Sequence, residues 1–123
     1  MKRIKNIKKK RDKIANFYDQ ELSQLVNIQK TPINQVHGRY MYIFSCKNRN
    51  KLKEFLEKNH IESKIFYSPL IPKTKAYKNF NNKVFPNAIS LLSRSLAIPL
   101  HENMTMKQAE YVVDKIKIFY NNH

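Results

Sequence analysis

Residues 85–105 read FPNAISLLSRSLAIPLHENMT, and this run sets the order of elements in the second half of the chain. Pro86 has its φ already set for a first helical turn, so it opens a short helix through Ala88, Leu91 and Leu92. Leu96 to Pro99 follows as a short strand, closed by a residue with no N–H for a ladder. Thr105 with Gln108 three residues on forms a capping box. Behind it Ala109, Val112, Val113, Ile116 and Phe119 recur at helical spacing and mark the inner stripe of a final helix.

Upstream, Arg39 to Cys46 reads RYMYIFSC, with Tyr40, Tyr42, Phe44 and Cys46 on one face and Met41 and Ile43 on the other. An aromatic, β-rich run that is apolar on both sides predicts an interior strand. Asn48 or Asn50 can cap the next helix, whose core positions are Leu52, Phe55 and Leu56 and which stops at Asn59-His60. Lys64 to Tyr67 reads as a second strand. Pro69 and Pro72 then exclude regular sheet or helix, which makes residues 68–84 a long loop carrying Tyr77 and Phe80. Its apolar run Pro69, Leu70, Ile71, Pro72 is the kind of loop that faces a partner surface.

The first 25 residues place Ile4, Ile7, Ile14, Tyr18, Leu22 and Leu25 at a spacing near helical, with lysines between. This predicts an amphipathic helix. Its stripe begins close to Met1, with no cap and with positive charge against the dipole, as expected of a helix whose natural start lies further upstream. Together the elements predict an α+β fold, a small three-stranded sheet packed with helices. We expect one domain over residues 1–123, with 1–25 a connecting helix and 26–123 the small α+β domain.

The chain of 123 residues is 41% hydrophobic, enough for a real core. Its apolar runs fall far short of the roughly 20 residues that span a bilayer, so no membrane partner is expected. A single cysteine, Cys46, cannot form an internal disulfide, and the expected compartment is cytoplasmic. The formal net charge is +15, from 24 Lys and Arg against 9 Asp and Glu. Such a balance raises phosphate neutralisation, hence nucleic acid, as a function class. Against it, the basic residues are 19 Lys to 5 Arg, whereas base and phosphate recognition favours the planar Arg fork. Eight of them also crowd into the first thirteen positions. A stand-alone basic nucleic-acid-binding module therefore stands as the alternative function, and it requires Tyr40 and Tyr42 exposed for stacking.

Catalytic constellations are sparse. His37, His60, His101 and His123 lack ligand spacing, so no metal site is expected. Cys46 lies in an apolar strand, where a packed thiol is expected rather than a nucleophile. Glu54 and Glu57 neighbour each other on a helix surface and read as solvated. With Gly38 the one glycine in the chain, no glycine-rich phosphate loop exists here.

Read in register, KKKRDKIANFYDQEL, HGRYMYIF, KLKEFLEKNHIESKIFYSPL, KAYKNF and FPNAISLLSRSLAIPLHENMT resemble the C-terminal small domain of DegT/StrS-type aminotransferases over about residues 7 to 119. The resemblance implies a pyridoxal-phosphate-dependent family that moves an amino group, usually from glutamate, to a nucleotide-linked keto-sugar, in homodimers with the active site at the subunit interface. It also implies that the Schiff-base lysine, the acidic partner of the pyridinium nitrogen and the phosphate cup lie in a large domain that precedes the matched region. The expected large cofactor-binding domain is therefore absent from this chain, or separately encoded. No catalytic residue and no pyridoxal phosphate site are expected in the chain alone. Tyr67 matches the family's second-strand tyrosine, and Tyr67 and Lys73 are the substrate-cleft candidates. Where many members carry histidines, this sequence has Phe66 and Pro72. Where a turn glycine is usual it has His60.

Overall fold

The computed structural model describes residues 2–80 and 84–122. His123 and the Phe80 side chain, both named above, lie outside the described residues. Among the described residues the chain forms α1 (Lys2–Leu22), β1 (Asn27–Ile28), β2 (Tyr42–Ser45), α2 (Arg49–Lys58), two 3-10 helices (Ile71–Lys73 and Lys75–Phe80), α3 (Pro86–Arg94), β3 (Ser95–Ile98) and α4 (Met106–Asn121). The fold is α+β with a three-stranded antiparallel sheet in the order β1-β2-β3.

β2 is the central strand, as its two-sided apolar pattern predicts. Tyr42 stands opposite Ile98 and Phe44 opposite Leu96, and all four are buried in one core. Alternation along a strand puts these residues on the inner face, against the helices. There Ile14, Ala15, Tyr18 and Leu22 of α1 meet the stripe Ala109, Val112, Val113, Ile116 and Phe119 of α4, every one buried. Leu52 and Leu56 of α2 join the same core, with Phe55 5.6 Å from Phe119, ring centroid to centroid. Cys46 is buried in it, and burial pushes its thiol pKa up, as for a packed thiol.

The third strand is not the expected one. Lys64 makes one bridge to Ala97, with both backbone bonds formed at 3.0 and 2.8 Å, and the pairing stops there. Pro99, which has no N–H to continue a ladder, bars extension only on the Glu62 side, and the expected run toward Tyr67 makes no further bridge. The third strand is instead β1, on the opposite edge beside β2, two residues too short to carry a periodic signal. Two further expectations fail for want of covering structure. Ile4 is 70% exposed, because α1 runs past the body it packs on; Leu25, past the helix end, still packs partly buried against the core. Tyr40 is 72% exposed, since β2 begins only at Tyr42. α3 forms where Pro86 predicts, yet none of its residues is buried; Ala88 is exposed and Leu91 is 62% exposed. The proline loop is not irregular throughout but winds into short 3-10 turns, the second segment kinked at Tyr77 with φ −118° and ψ 34°.

Both ends of the helical layer follow local chemistry. At α4 the capping box is complete: the Gln108 N–H donates to Thr105 Oγ1 at 3.3 Å, and the Thr105 N–H donates to Gln108 Oε1 at 2.9 Å. At α2, Asn48 holds the cap position with φ 56°, but its side chain makes no cap bond. The same helix ends with His60 at φ 59°, its N–H on the Glu57 carbonyl at 3.0 Å and the Ile61 N–H on the Leu56 carbonyl at 2.9 Å. That pair of bonds is a Schellman end, whose left-handed residue is usually glycine. Two stability changes of opposite sign follow for urea denaturation. Thr105→Ala lowers stability by about 1 kcal/mol through the lost cap. His60→Gly raises it by up to about 1 kcal/mol, because the left-handed penalty exceeds the entropy that glycine adds to the unfolded chain.

Candidate functional site

The cleft candidates Tyr67 and Lys73 sit on the loop that leaves the Lys64 bridge. Tyr67 is 69% exposed, its ring edge-on to Phe66 at 5.0 Å between centroids. Lys73 is exposed at the end of the first 3-10 helix, its N–H on the Leu70 carbonyl at 2.7 Å. Around them large apolar side chains point to solvent: Ile71 in the same helix, Tyr77 in the next, Val84 before α3, and Ile89 and Leu91 on α3. Six such residues are exposed between 67 and 91, two of them on a helix with nothing buried. Large exposed apolar patches mark interaction sites.

A concave site lies beside this surface. It is a cavity of about 690 Å³ between the 60–66 segment, the end of β3 and the first half of α4. Phe66 lines it; Tyr67 and Lys73 do not. His60 and His101, which have no common spacing in the sequence, are both brought to its wall, together with Ser63, Lys64 and Lys107. Sequence reasoning missed Ser63 and Lys107 altogether, since an isolated serine and a surface lysine carry no pattern. Lys64 is paired with Glu62 at 2.6 Å, and that hydrogen bond holds the Lys64 pKa above its ordinary value. A nucleophilic lysine needs the opposite shift, toward the neutral amine. Among the described residues no group of three or more His, Cys, Asp or Glu could hold a metal ion.

Two polar clamps fix the wall nearest α1. Arg11 donates from Nη2 to Glu102 Oε2 at 2.9 Å and from Nη1 to the Tyr40 carbonyl at 3.3 Å, which ties α1 to the residues before β2 and after β3. A few turns along, Asp19 accepts from the Tyr42 hydroxyl and from Arg39 Nη2, each at 2.8 Å. Burial, and then the Asp19 carboxylate, push the Tyr42 phenol far above its ordinary pKa. With Tyr42 buried and committed to Asp19, it cannot stack with Tyr40 on bases. The joint exposure that a nucleic-acid module requires of these two tyrosines is not met. No described helix is long and apolar enough to cross a membrane.

The Glu102 carboxyl lies below the usual carboxylate range, first because of its own backbone N–H and then because of Arg11. A depressed folded-state pKa contributes stability that is present above the unfolded carboxylate value and lost as pH falls through the folded value. Arg11→Met should therefore raise the Glu102 pKa without returning it fully to the ordinary value, since the backbone donor remains. Carboxyl-carbon NMR titration of the wild type and the variant measures this, and an unchanged Glu102 pKa would show that the guanidinium plays no part.

The sequence model described as the DegT/DnrJ/EryC1/StrS aminotransferase family matches residues 1–117. An uncharacterized protein of Methanocaldococcus jannaschii is 27% identical over 95% of this chain and 33% of its own length. The dTDP-3-amino-3,6-dideoxy-alpha-D-galactopyranose transaminase of Aneurinibacillus thermoaerophilus is 23% identical over 87% of this chain and 30% of its own. Among solved structures, a DegT DnrJ EryC1 StrS aminotransferase from Brucella abortus superposes with a TM-score of 0.85 at 27% identity, over 92% of this chain and 31% of that one. The aminotransferase TlmJ from Streptoalloteichus hindustanus, at 21% identity, shares the fold with a TM-score of 0.90 over 98% and 34% of the two chains. The chain thus spans about a third of the length of the relatives it matches.

Proposed function

The chain belongs to the DegT/DnrJ/EryC1/StrS aminotransferase family, and from that premise we propose that it is the C-terminal small domain of a pyridoxal-phosphate-dependent sugar aminotransferase. Its role is to close one wall of a cleft whose chemistry resides in the large cofactor-binding domain of the complete protein. The reaction assigned to that assembly is amino transfer from glutamate to a nucleotide-linked keto-sugar in amino-sugar or surface-polysaccharide biosynthesis. The observation that carries the proposal is α3 and the 3-10 loop, where Ile71, Val84 and Leu91 are exposed and no residue of the helix is buried.

The residues of this chain do not fit pyridoxal phosphate by themselves. That group needs a lysine able to lose its proton, a carboxylate at the ring nitrogen and a cup of N–H groups for the phosphate. Lys64 is instead held in its charged form by Glu62, and Gly38, the one glycine, lies in the loop before β2 rather than at a helix start. No step through the cofactor is therefore assigned to these side chains. Tyr67 and Lys73 are assigned to the cleft wall as substrate-positioning groups, in a homodimeric assembly of the complete protein.

Titrating the purified chain with pyridoxal phosphate should give no saturable one-site change in cofactor absorbance; one-site saturation would overturn the proposal. Co-expression with a family cofactor domain should restore glutamate-dependent transamination. Ile71→Asp with Leu91→Asp should abolish that association while shifting the chain's own stability by less than about 0.5 kcal/mol, because both residues are already in water. In the restored assembly, Tyr67→Phe and Lys73→Ala should raise KM for the sugar by about tenfold, the loss of roughly one charge-assisted or positioned contact each.

A further inference from the structure

The cavity beside α4 contains groups that the cleft-wall role does not use. Ser63 lines it, is only 5% exposed, and its hydroxyl is enclosed with no hydrogen-bond partner. A buried hydroxyl without a partner in a native structure calls for an explanation, and an absent ligand is one. The antiparallel bridge at Lys64 and Ala97 returns the 60–63 segment toward Leu100 and His101, so the cavity mouth gathers His60, His101 and Lys107. The acidic residue on this wall is Glu62, which is already paired with Lys64. Deeper surfaces are apolar, from Phe66, Leu100, Met104 and Val112.

At about 690 Å³ the cavity far exceeds one water and falls in the range of small-molecule sites. We propose that it binds a small amphipathic organic acid, its anionic group at the His60, His101 and Lys107 mouth, its apolar body on Leu100, Met104 and Val112, and an oxygen served by Ser63. Serine hydroxyls step between staggered χ1 wells, and serving that oxygen requires the Ser63 hydroxyl to point into the cavity. The site is independent of the aminotransferase assignment, since Tyr67 and Lys73 line no part of it. An uncharged molecule of the same shape would leave the cationic mouth unserved, and a simple inorganic anion would leave the apolar floor bare.

The test is a 15N-HSQC titration of the full chain with 4-phenylbutyrate, using 4-phenyl-1-butanol as the uncharged counterpart. Saturable movement of the Ser63 and Leu100–Lys107 amides is expected, with a Kd of about 1 mM or tighter and at least about tenfold weaker binding of the alcohol. Lys107→Glu, an exposed substitution, should weaken the acid by about tenfold and leave the alcohol unchanged, and Ser63→Ala should weaken the acid by about fivefold without unfolding the chain. Equal affinity for acid and alcohol, no saturation, or movement confined to Ile89 and Leu91 on α3 would each overturn the proposal.

Discussion

The Tyr18 hydroxyl donates to the Pro99 carbonyl at 3.1 Å, and the ring that carries it ties three elements of the core together. Tyr18 is wholly buried in the last turns of α1, and its ring meets that of Tyr42 edge-on at 4.9 Å. One side chain thus joins the first helix, the central strand and the end of β3. Aromatic pairs of this geometry contribute beyond the area they bury. Because the phenol is enclosed, its hydroxyl needs a partner, and a proline carbonyl at a strand end is free to accept. The result is a rigid corner from which β3 turns toward the Thr105 cap and α4.

That corner explains why the rest of the sheet can be so small. β1 has two residues, and the Lys64 segment contributes a single bridge. Neither would hold alone, since short strands need a packed face to be stable. Here the face is supplied by α1 and α4 lying across β2 and β3, with α2 closing one side. Ion pairs at the periphery, Arg11 with Glu102 and Arg39 with Asp19, orient the loops around this core more than they stabilise it.

The two sides of the domain differ in kind. On the inner side, apolar stripes meet and are buried. On the side of α3 and the 3-10 loop, residues of the same character remain in water, at a cost that a free-standing domain does not ordinarily bear. The chain spans about a third of its relatives' length and exposes Tyr67, Ile71, Tyr77, Val84, Ile89 and Leu91. The cavity beside α4 is different again, because its mouth is charged and its one deep hydroxyl lacks a partner.

The sequence by itself determined those elements whose signals are local. The Thr105 and Gln108 box, the α4 stripe, the Pro86 helix start, the central position of β2 and the stop at His60 all depend on neighbours within about one helical turn or on strand alternation. The family resemblance was legible for the same reason, through short motifs in order. Tertiary structure alone decided which strand fills the third place, because Asn27 and Ile28 have no pattern until β2 offers them an edge. It also decided that Tyr40, Ile4 and Leu91 are exposed, since periodicity shows which face is apolar but not whether anything covers it. The cavity follows the same rule: Ser63 lies far along the chain from His101 and Lys107, and only the antiparallel return at Lys64 and Ala97 brings them to one wall.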